Sequence, residues 1–321
     1  MYFHSKESPY MIMMCGLPGS GKSSLASKIQ VYNSQKIVEP IHIHSSDDMR
    51  KELFGDESIQ GDNNKLFNEL HKRIKCDLID GIHTIYDATN ISSKLRKQFL
   101  SELKHINCYP ICIVMATEYR TCLQCNKNRV RQVPEDIIRR MLLHWNPPNY
   151  SEGFAEILYN FNSLDIYKND YTIKTFFERA NVFNQCNKHH SLTLGEHCEQ
   201  TGTYIQNHRP NDFWLLVAAL LHDNGKLDTQ TKLNAKGIDD GDCHYYQHHC
   251  VGSYNILQYL NNMNVIDPKI ITYVSNLIYY HMHPYNSWKQ SSKVLNRDIK
   301  MLGEDFYNDV MLLHEADLSA H

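Results

Sequence analysis

The chain has 321 residues, 42% of them hydrophobic and 21% charged, with a formal net charge of −3. This length argues for two domains, each large enough to bury its own core. The near-neutral balance excludes a global basic field, so any nucleic acid must be held by a local patch.

Tyr10 to Cys15 is a short apolar run that reads as a buried parallel strand. Gly16-Leu17-Pro18-Gly19-Ser20-Gly21-Lys22-Ser23 follows it and leads into a helical stretch from Ser23 to Val31. G-x-x-x-x-G-K-S between a strand and a helix is a phosphate-binding P-loop. Gly16, Gly19 and Gly21 let the backbone wrap a phosphate with N–H groups, Ser20 included, and the helix amino terminus adds positive potential. Lys22 is expected to reach the β- and γ-phosphates of ATP or another NTP, and Ser23 to ligate Mg²⁺.

Further strands are expected at Ile41 to His44, His83 to Tyr86, Tyr109 to Met115 and Glu156 to Tyr159. Helices alternate with them at Asn64 to Asp80, Ser93 to Leu103, from about Glu118, and at Glu135 to His144. That alternation predicts an α/β domain with a parallel sheet and its ligands at the carboxyl ends of the strands. Ser23, Asp47 and Asp87 all fall at such ends.

Asp47 or Asp48 can serve as general base toward an acceptor hydroxyl, the other aspartate being a helix cap. Arg50 sits one turn on, where it can hold an anionic acceptor. Arg129 and Arg131 lie in a basic stretch before the Glu135 helix, where either can neutralise a γ-phosphate in transfer. Cys122 and Cys125 form an isolated C-x-x-C, read as two thiols on one helix, and the ten scattered cysteines suit reduced thiols.

The P-loop together with S-S-D-D-M-R (45–50), D-A-T-N (87–90) and N-K-N-R-V-R-Q-V-P (126–134) resembles the kinase domain of polynucleotide 5′-hydroxyl kinases. The resemblance implies Asp47 as the base, Arg50 on the acceptor's 3′-phosphate, Asp87 in the acceptor site, and Arg129 on the donor phosphates. It covers about the first 160 residues. Ser46 stands where that family often carries a basic residue.

The expected boundaries are a kinase domain over 1–163, a linker or bridging helix over 164–187, and a second domain over 188–321. The last of these reads as all-α, with helices at Leu194 to Asn207, Phe213 to His222, His248 to Leu260 and Pro268 to His281. His197, His222, Asp223, His248, His281 and Asp317 open, flank or end these helices. Imidazoles and carboxylates at buried helix ends are costly unless they bind something, and this donor set suits first-row transition metals.

The order H…HD…H…H…D, with T-L-G-E-H (193–197), A-L-L-H-D-N-G-K (219–226) and Y-H-M-H-P (280–284), resembles the HD phosphohydrolase superfamily. The likeness is to members that open cyclic phosphates in RNA processing. It implies two divalent metals (Fe, Mn, Ni, Co or Zn) on those six residues, with Asp223 as the bridge. His190, His249 and His283 are rival ligands within a few positions, and Lys226 is placed to balance charge on a phosphate.

The two resemblances together imply an end-healing enzyme for broken RNA. One site phosphorylates 5′-OH ends with ATP; the other removes 2′,3′-cyclic or 3′-phosphate. Its partners are expected to be single-stranded RNA, tRNA included, or DNA ends, and an RNA ligase. The alternatives are a small-molecule kinase fused to a nucleotide hydrolase, and a nucleotide-sensing regulatory protein. The polar Met1 to Pro9 and the lack of a membrane-length apolar run lead us to expect a cytoplasmic protein.

Overall fold

A computed structural model describes residues 8–36, 40–57, 59, 61–162, 166–186 and 192–320. Two compact units emerge: one of Met1–Ile138 with Pro148–Asp165, the other of Arg139–Pro147 with Ile166–His321.

In the first unit, five parallel strands run β1 (Tyr10–Cys15), β2 (Ile41–Ser45), β3 (His83–Asp87), β4 (Tyr109–Ala116) and β5 (Glu156–Phe161). They lie in the order β2-β3-β1-β4-β5. β1 and β3 are buried along their whole length, which is why β1 reads as an unbroken apolar run rather than an alternating one. The register sets Ile12 beside Ile85 on one side and Ile111 on the other. Tyr10, Met14, Ile113 and Met115 continue this layer into a core that also takes Ala26 from the first helix.

The helices of this unit are α1 (Lys22–Lys36), α2 (Ser46–Phe54), α3 (Asn63–Ile79), α4 (Ser93–Glu102), α5 (Tyr119–Lys127) and the start of α6 (Glu135–Leu143). α3 buries Leu66, Leu70, Ile74 and Leu78, a four-residue spacing that makes one apolar stripe.

A buried ion pair fixes the floor under the P-loop. Arg96 donates to both oxygens of Glu152 at 2.7 Å and to the carbonyl of Asn90 at 2.9 Å. Asn90 in turn donates to the Met14 carbonyl, and the Gly16 amide donates to the Thr89 carbonyl.

The second unit contains α7 (Ile173–Ala180), α8 (Leu194–His208), α9 (Phe213–Leu221), α10 (Lys226–Thr229), α11 (His248–Asn262), α12 (Pro268–Tyr280), α13 (Ser287–Gln290), α14 (Ser292–Leu302) and α15 (Glu304–Ser319). α11 is buried without a break from Cys250 to Leu260, as a helix packed on all sides must be. It lies against α12, while α8 packs on α9 and α15.

One small feature adds to the helical unit. β6 (Thr231–Leu233) and β7 (Asp239–His244) form an antiparallel hairpin. β6 is only three residues long and β7 is acidic and exposed over its first half, so no alternating apolar pattern announces it. Asn234 closes the turn by accepting from the amides of Lys236 and Ile238, and Gly237 takes positive φ. Within the expected 164–187 join, α7 is a true helix with a capping box between Thr172 and Thr175.

Among the described residues no helix is long and apolar enough to cross a membrane.

Candidate functional site

The P-loop leaves the carboxyl end of β1 and closes on α1. Gly19 and Gly21 adopt φ of +79° and +92°. A Cβ on Gly19 would stand 2.2 Å from the Cys122 carbonyl oxygen, so only glycine fits there. Gly16 is equally confined, with a Cβ meeting Met115 and Ser20 at 2.9 Å. The loop walls a pocket of about 260 Å³ lined by Gly19, Gly21, Lys22, Ser23, Cys125 and Arg129.

The chemistry of that pocket fits a metal-bound polyphosphate. Lys22 is buried and donates to the Leu17 carbonyl at 2.8 Å. Burial lowers its ammonium pKa, with Asp87 opposing the shift. Ser20 presents a buried hydroxyl with no partner. Asp87, the last residue of β3, is buried close to Ser23 and Lys22, both of which act on its carboxylate. Burial raises its carboxyl above the ordinary range, against the pull of Ser23 and Lys22. Ser23 and Asp87 are thus placed as the pair that would hold Mg²⁺ beside the phosphates. Asp87, which the resemblance assigns to the acceptor site, also has Asp47 and Asp48 acting on it as neighbouring charges.

The helix cap before Asp47 is Ser45, whose hydroxyl accepts from the amides of both Asp47 and Asp48. Neither aspartate is therefore needed as the cap. Asp48 is exposed, whereas Asp47 is ringed by arginines. Arg131 donates to its Oδ1 at 2.6 Å, Arg50 lies 3.9 Å from the same oxygen, and Arg129 lies 3.9 Å from Oδ2. Arg50 is buried, donates to Asn63 at 3.1 Å and leaves its Nε without a partner. Burial and the nearby Arg131 lower its pKa, and Asp47 raises it.

The loop carrying Arg129 and Arg131 is cinched by one side chain. Asn126 donates to the Val133 carbonyl and accepts from the Val133 amide. Arg129 thereby faces the phosphate pocket while Arg131 faces Asp47. Cys125, exposed on α5, lines the same pocket; Cys122 is buried and donates to the Thr117 carbonyl. Spacing alone gave no hint of Cys125's position.

The second unit gathers all six expected ligands. A capping box between Thr193 and Glu196 fixes the first turn of α8 and places His197 inside. His222 and His281 are the carboxyl-terminal caps of α9 and α12, His248 opens α11, and Asp317 lies in the last turn of α15.

The six fall into two groups, His197–His222–Asp317 and Asp223–His248–His281. In the first, Nε2 of His197 lies 3.3 Å from Nε2 of His222 and 3.0 Å from Oδ1 of Asp317. In the second, the Nε2 atoms of His248 and His281 are 3.2 Å apart.

Asp223 spans both groups. Its Oδ2 is 3.5 Å and 3.3 Å from His197 and His222; its Oδ1 is 3.2 Å and 3.7 Å from His248 and His281. The Nδ1 atoms point outward to carbonyls: His197 to Ala320, His222 to Ala219, His248 to Tyr245 and His281 to Ile278. Each outward N–H leaves the Nε2 lone pair facing in, the tautomer a metal requires. Separations of this size match the edges of a metal polyhedron with ligands at about 2.0–2.2 Å. The residues fit a pair of divalent metals.

Without metal, burial would push His222 down, but Asp223 and Asp317 outweigh it and carry it up to about 10. His197 is raised by the same carboxylates, which are themselves held well below the ordinary range.

Lys226 is buried on this cluster, 2.7 Å from Oδ2 of Asp223 and 2.9 Å from Oε1 of Gln185. The fold thus places it on the Asp223 carboxylate. Tyr285 donates to the other oxygen of Asp317 at 2.8 Å. Gln185 and Tyr285 carried no sequence signal, since neither lies beside an H-D motif. The rivals His249 and His283 stand one layer out, with ring centroids 6.4 Å apart and neither within a ligand group. His190 lies outside the described residues.

Gly225 permits the packing: a Cβ there would stand 2.1 Å from the His248 carbonyl oxygen. Asn224 locks the same junction by donating to the carbonyls of Leu221 and Gly252.

Residues 11–148 match a family model described as AAA domain, and residues 188–318 match one described as HD domain. The chain thus joins a P-loop-bearing parallel α/β unit to a helical unit that matches the HD domain model. It is similar to protein kti12 of Schizosaccharomyces pombe (strain 972), at 23% identity over 148 residues, or 43% of this chain and 52% of the relative. It thus spans about half the length of the curated relative it matches.

Among solved structures, Chaetomium thermophilum Kti12 in complex with ADP-AlF3 superposes with a TM-score of 0.41 at 16% identity, over 49% of this chain and 91% of that one. The Pnkp1/Rnl/Hen1 complex gives a TM-score of 0.34 at 20% identity, over 41% of this chain and 43% of that one.

Proposed function

We propose that the chain heals broken RNA ends: the P-loop unit phosphorylates a 5′-hydroxyl with ATP, and the HD unit removes a 2′,3′-cyclic or 3′-phosphate. The observation that carries the kinase half is Asp47 with its three arginines, set in the same unit as the Lys22–Ser23–Asp87 cradle. Phosphoryl transfer needs a base at the acceptor and positive charge at the donor. Asp47 would take the acceptor proton, held in place by Arg131. Arg50, buried with an unpartnered Nε, would bind an acceptor phosphate. An acceptor with its own phosphate close to the hydroxyl suits a polynucleotide end better than a sugar. Arg129 would face the transferred phosphoryl group from the lid.

In the HD unit, His197, His222 and Asp317 would hold one metal, His248 and His281 the other, and Asp223 both. When bound, such a pair supplies Lewis acidity to a phosphate and acidifies water. Lys226 steadies the Asp223 carboxylate, and Tyr285 orients Asp317.

Competition tests the substrate class. Short 5′-OH RNAs should saturate the kinase and block phosphorylation of a labelled RNA end, whereas nucleosides and sugars should not. Equal competition by a sugar or free nucleoside would replace this reading with that of a small-molecule kinase.

A further inference from the structure

The edge strand β2 carries His42 and His44, two residues apart and so on one face of the sheet. α3 packs against this strand and brings up Asp77. A single oxygen of Asp77, Oδ2, lies 2.8 Å from Nδ1 of His42 and 2.7 Å from Nε2 of His44. The three ligating atoms lie within 4.8 Å of one another. Neither the phosphate cradle nor the HD cluster uses any of these residues.

A tether between strand and helix needs only one imidazole; here two converge on the same oxygen. His44 and Asp77 are largely shielded, with side-chain exposures of 13% and 18%, while His42 keeps 48%. A cation can therefore enter from solvent and retain water. Two imidazoles and one carboxylate suit zinc, cobalt or nickel rather than magnesium or calcium, which prefer oxygen. Ligands of a tetrahedral ion at about 2.0–2.1 Å lie roughly 3.3–3.4 Å apart, so small side-chain rotations would open the group to the required size.

We propose that His42, His44 and Asp77 form a third metal site, taking one first-row divalent transition metal of the zinc class with a position open to water. Its place in the fold gives it a structural role. β2 runs directly into Ser45, the cap of the helix bearing Asp47, and α3 begins at Asn63, the acceptor for Arg50. A metal here would tie together the two elements that support Asp47 and Arg50. The site itself stands whether or not those two residues bind an RNA end.

Cobalt(II) is the probe, added to the metal-stripped 321-residue protein carrying His222→Ala and Asp223→Ala, which break both HD ligand groups. Nucleotide is omitted, so the P-loop offers no phosphate oxygens to the ion. This protein should retain one cobalt with the intense visible absorption of four-coordinate geometry, displaceable by zinc. Adding His42→Gln should weaken it by at least the ten- to hundredfold, roughly, that loss of a mere supporting residue costs a metal site. His42 is half exposed, so glutamine leaves the fold intact, and unchanged metal-free melting would confirm that. Should the HD variants fail to fold, His42→Gln in the otherwise native chain should lower cobalt stoichiometry by one. Unchanged affinity or stoichiometry in the His42→Gln protein would overturn the site and leave the trio as hydrogen bonds only.

Discussion

Arg131 donates to Asp47 Oδ1 at 2.6 Å, joining the lid loop to the first turn of α2 across 84 positions of sequence. An arginine so close holds the carboxylate in a fixed orientation, which is what a general base needs before its substrate arrives. Asp47→Ala should lower kinase turnover by about 10²- to 10⁴-fold while ATP still binds. Arg131→Ala should lower it less, because the base remains. Steady-state kinetics with a 5′-OH oligonucleotide would separate the two, and full activity of Asp47→Ala would remove it from the chemistry.

Gly19 admits no side chain, since its Cβ would overlap the Cys122 carbonyl. Gly19→Ala should abolish ATP binding through loss of loop geometry, and Lys22→Ala should abolish phosphoryl transfer. Neither should alter phosphatase turnover. Nucleotide-binding calorimetry on both variants gives the check: tight ATP binding by Gly19→Ala would contradict the cradle as described.

The metal-free HD site holds protons that a metal must displace. His222 sits up at about 10, raised by Asp223 and Asp317 against the effect of burial. At any pH below that value metal loading releases this proton, so affinity should rise as pH rises through neutrality toward 10. Calorimetry in buffers of different ionisation enthalpy reads the protons directly. Chelation should silence the phosphatase, with activity returning on addition of manganese, nickel or cobalt. Loading independent of pH would contradict the inward protonated imidazole.

Arg96 and Glu152 form a fully buried bidentate pair beneath the P-loop. Glu152→Ala strands a buried guanidinium and should destabilise the P-loop unit by about 3–5 kcal/mol. Denaturant melts monitored by nucleotide binding would show an early transition, with phosphatase activity persisting beyond it. A shift below about 1 kcal/mol would mean that water reaches Arg96.

The parts of this chain legible in sequence were those whose chemistry lies in local spacing. The P-loop is contiguous, and β1 and β4 announce themselves as apolar runs because both sheet faces are covered. The six HD residues were legible because His and Asp at buried helix ends are costly without a ligand. What stayed hidden depends on long-range approach. Asp87 approaches Ser23 across 64 positions, Lys226 sits on the Asp223 carboxylate, and Tyr285 reaches Asp317 from the turn between α12 and α13. The β6–β7 hairpin was hidden because β6 is only three residues long and β7 is mostly polar and largely exposed. The need for glycine at 225 likewise comes from the approach of the His248 carbonyl on another helix.

One RNA oligonucleotide bearing a 5′-OH and a 2′,3′-cyclic phosphate tests the central claim most directly. With ATP, Mg²⁺ and a transition metal present, mass spectrometry should record phosphate gained at the 5′ end and lost at the 3′ end. Lys22→Ala should stop only the first change and Asp223→Ala only the second. An oligonucleotide unchanged at both ends, in a protein that still binds ATP, would contradict the account and assign the P-loop unit a small-molecule acceptor.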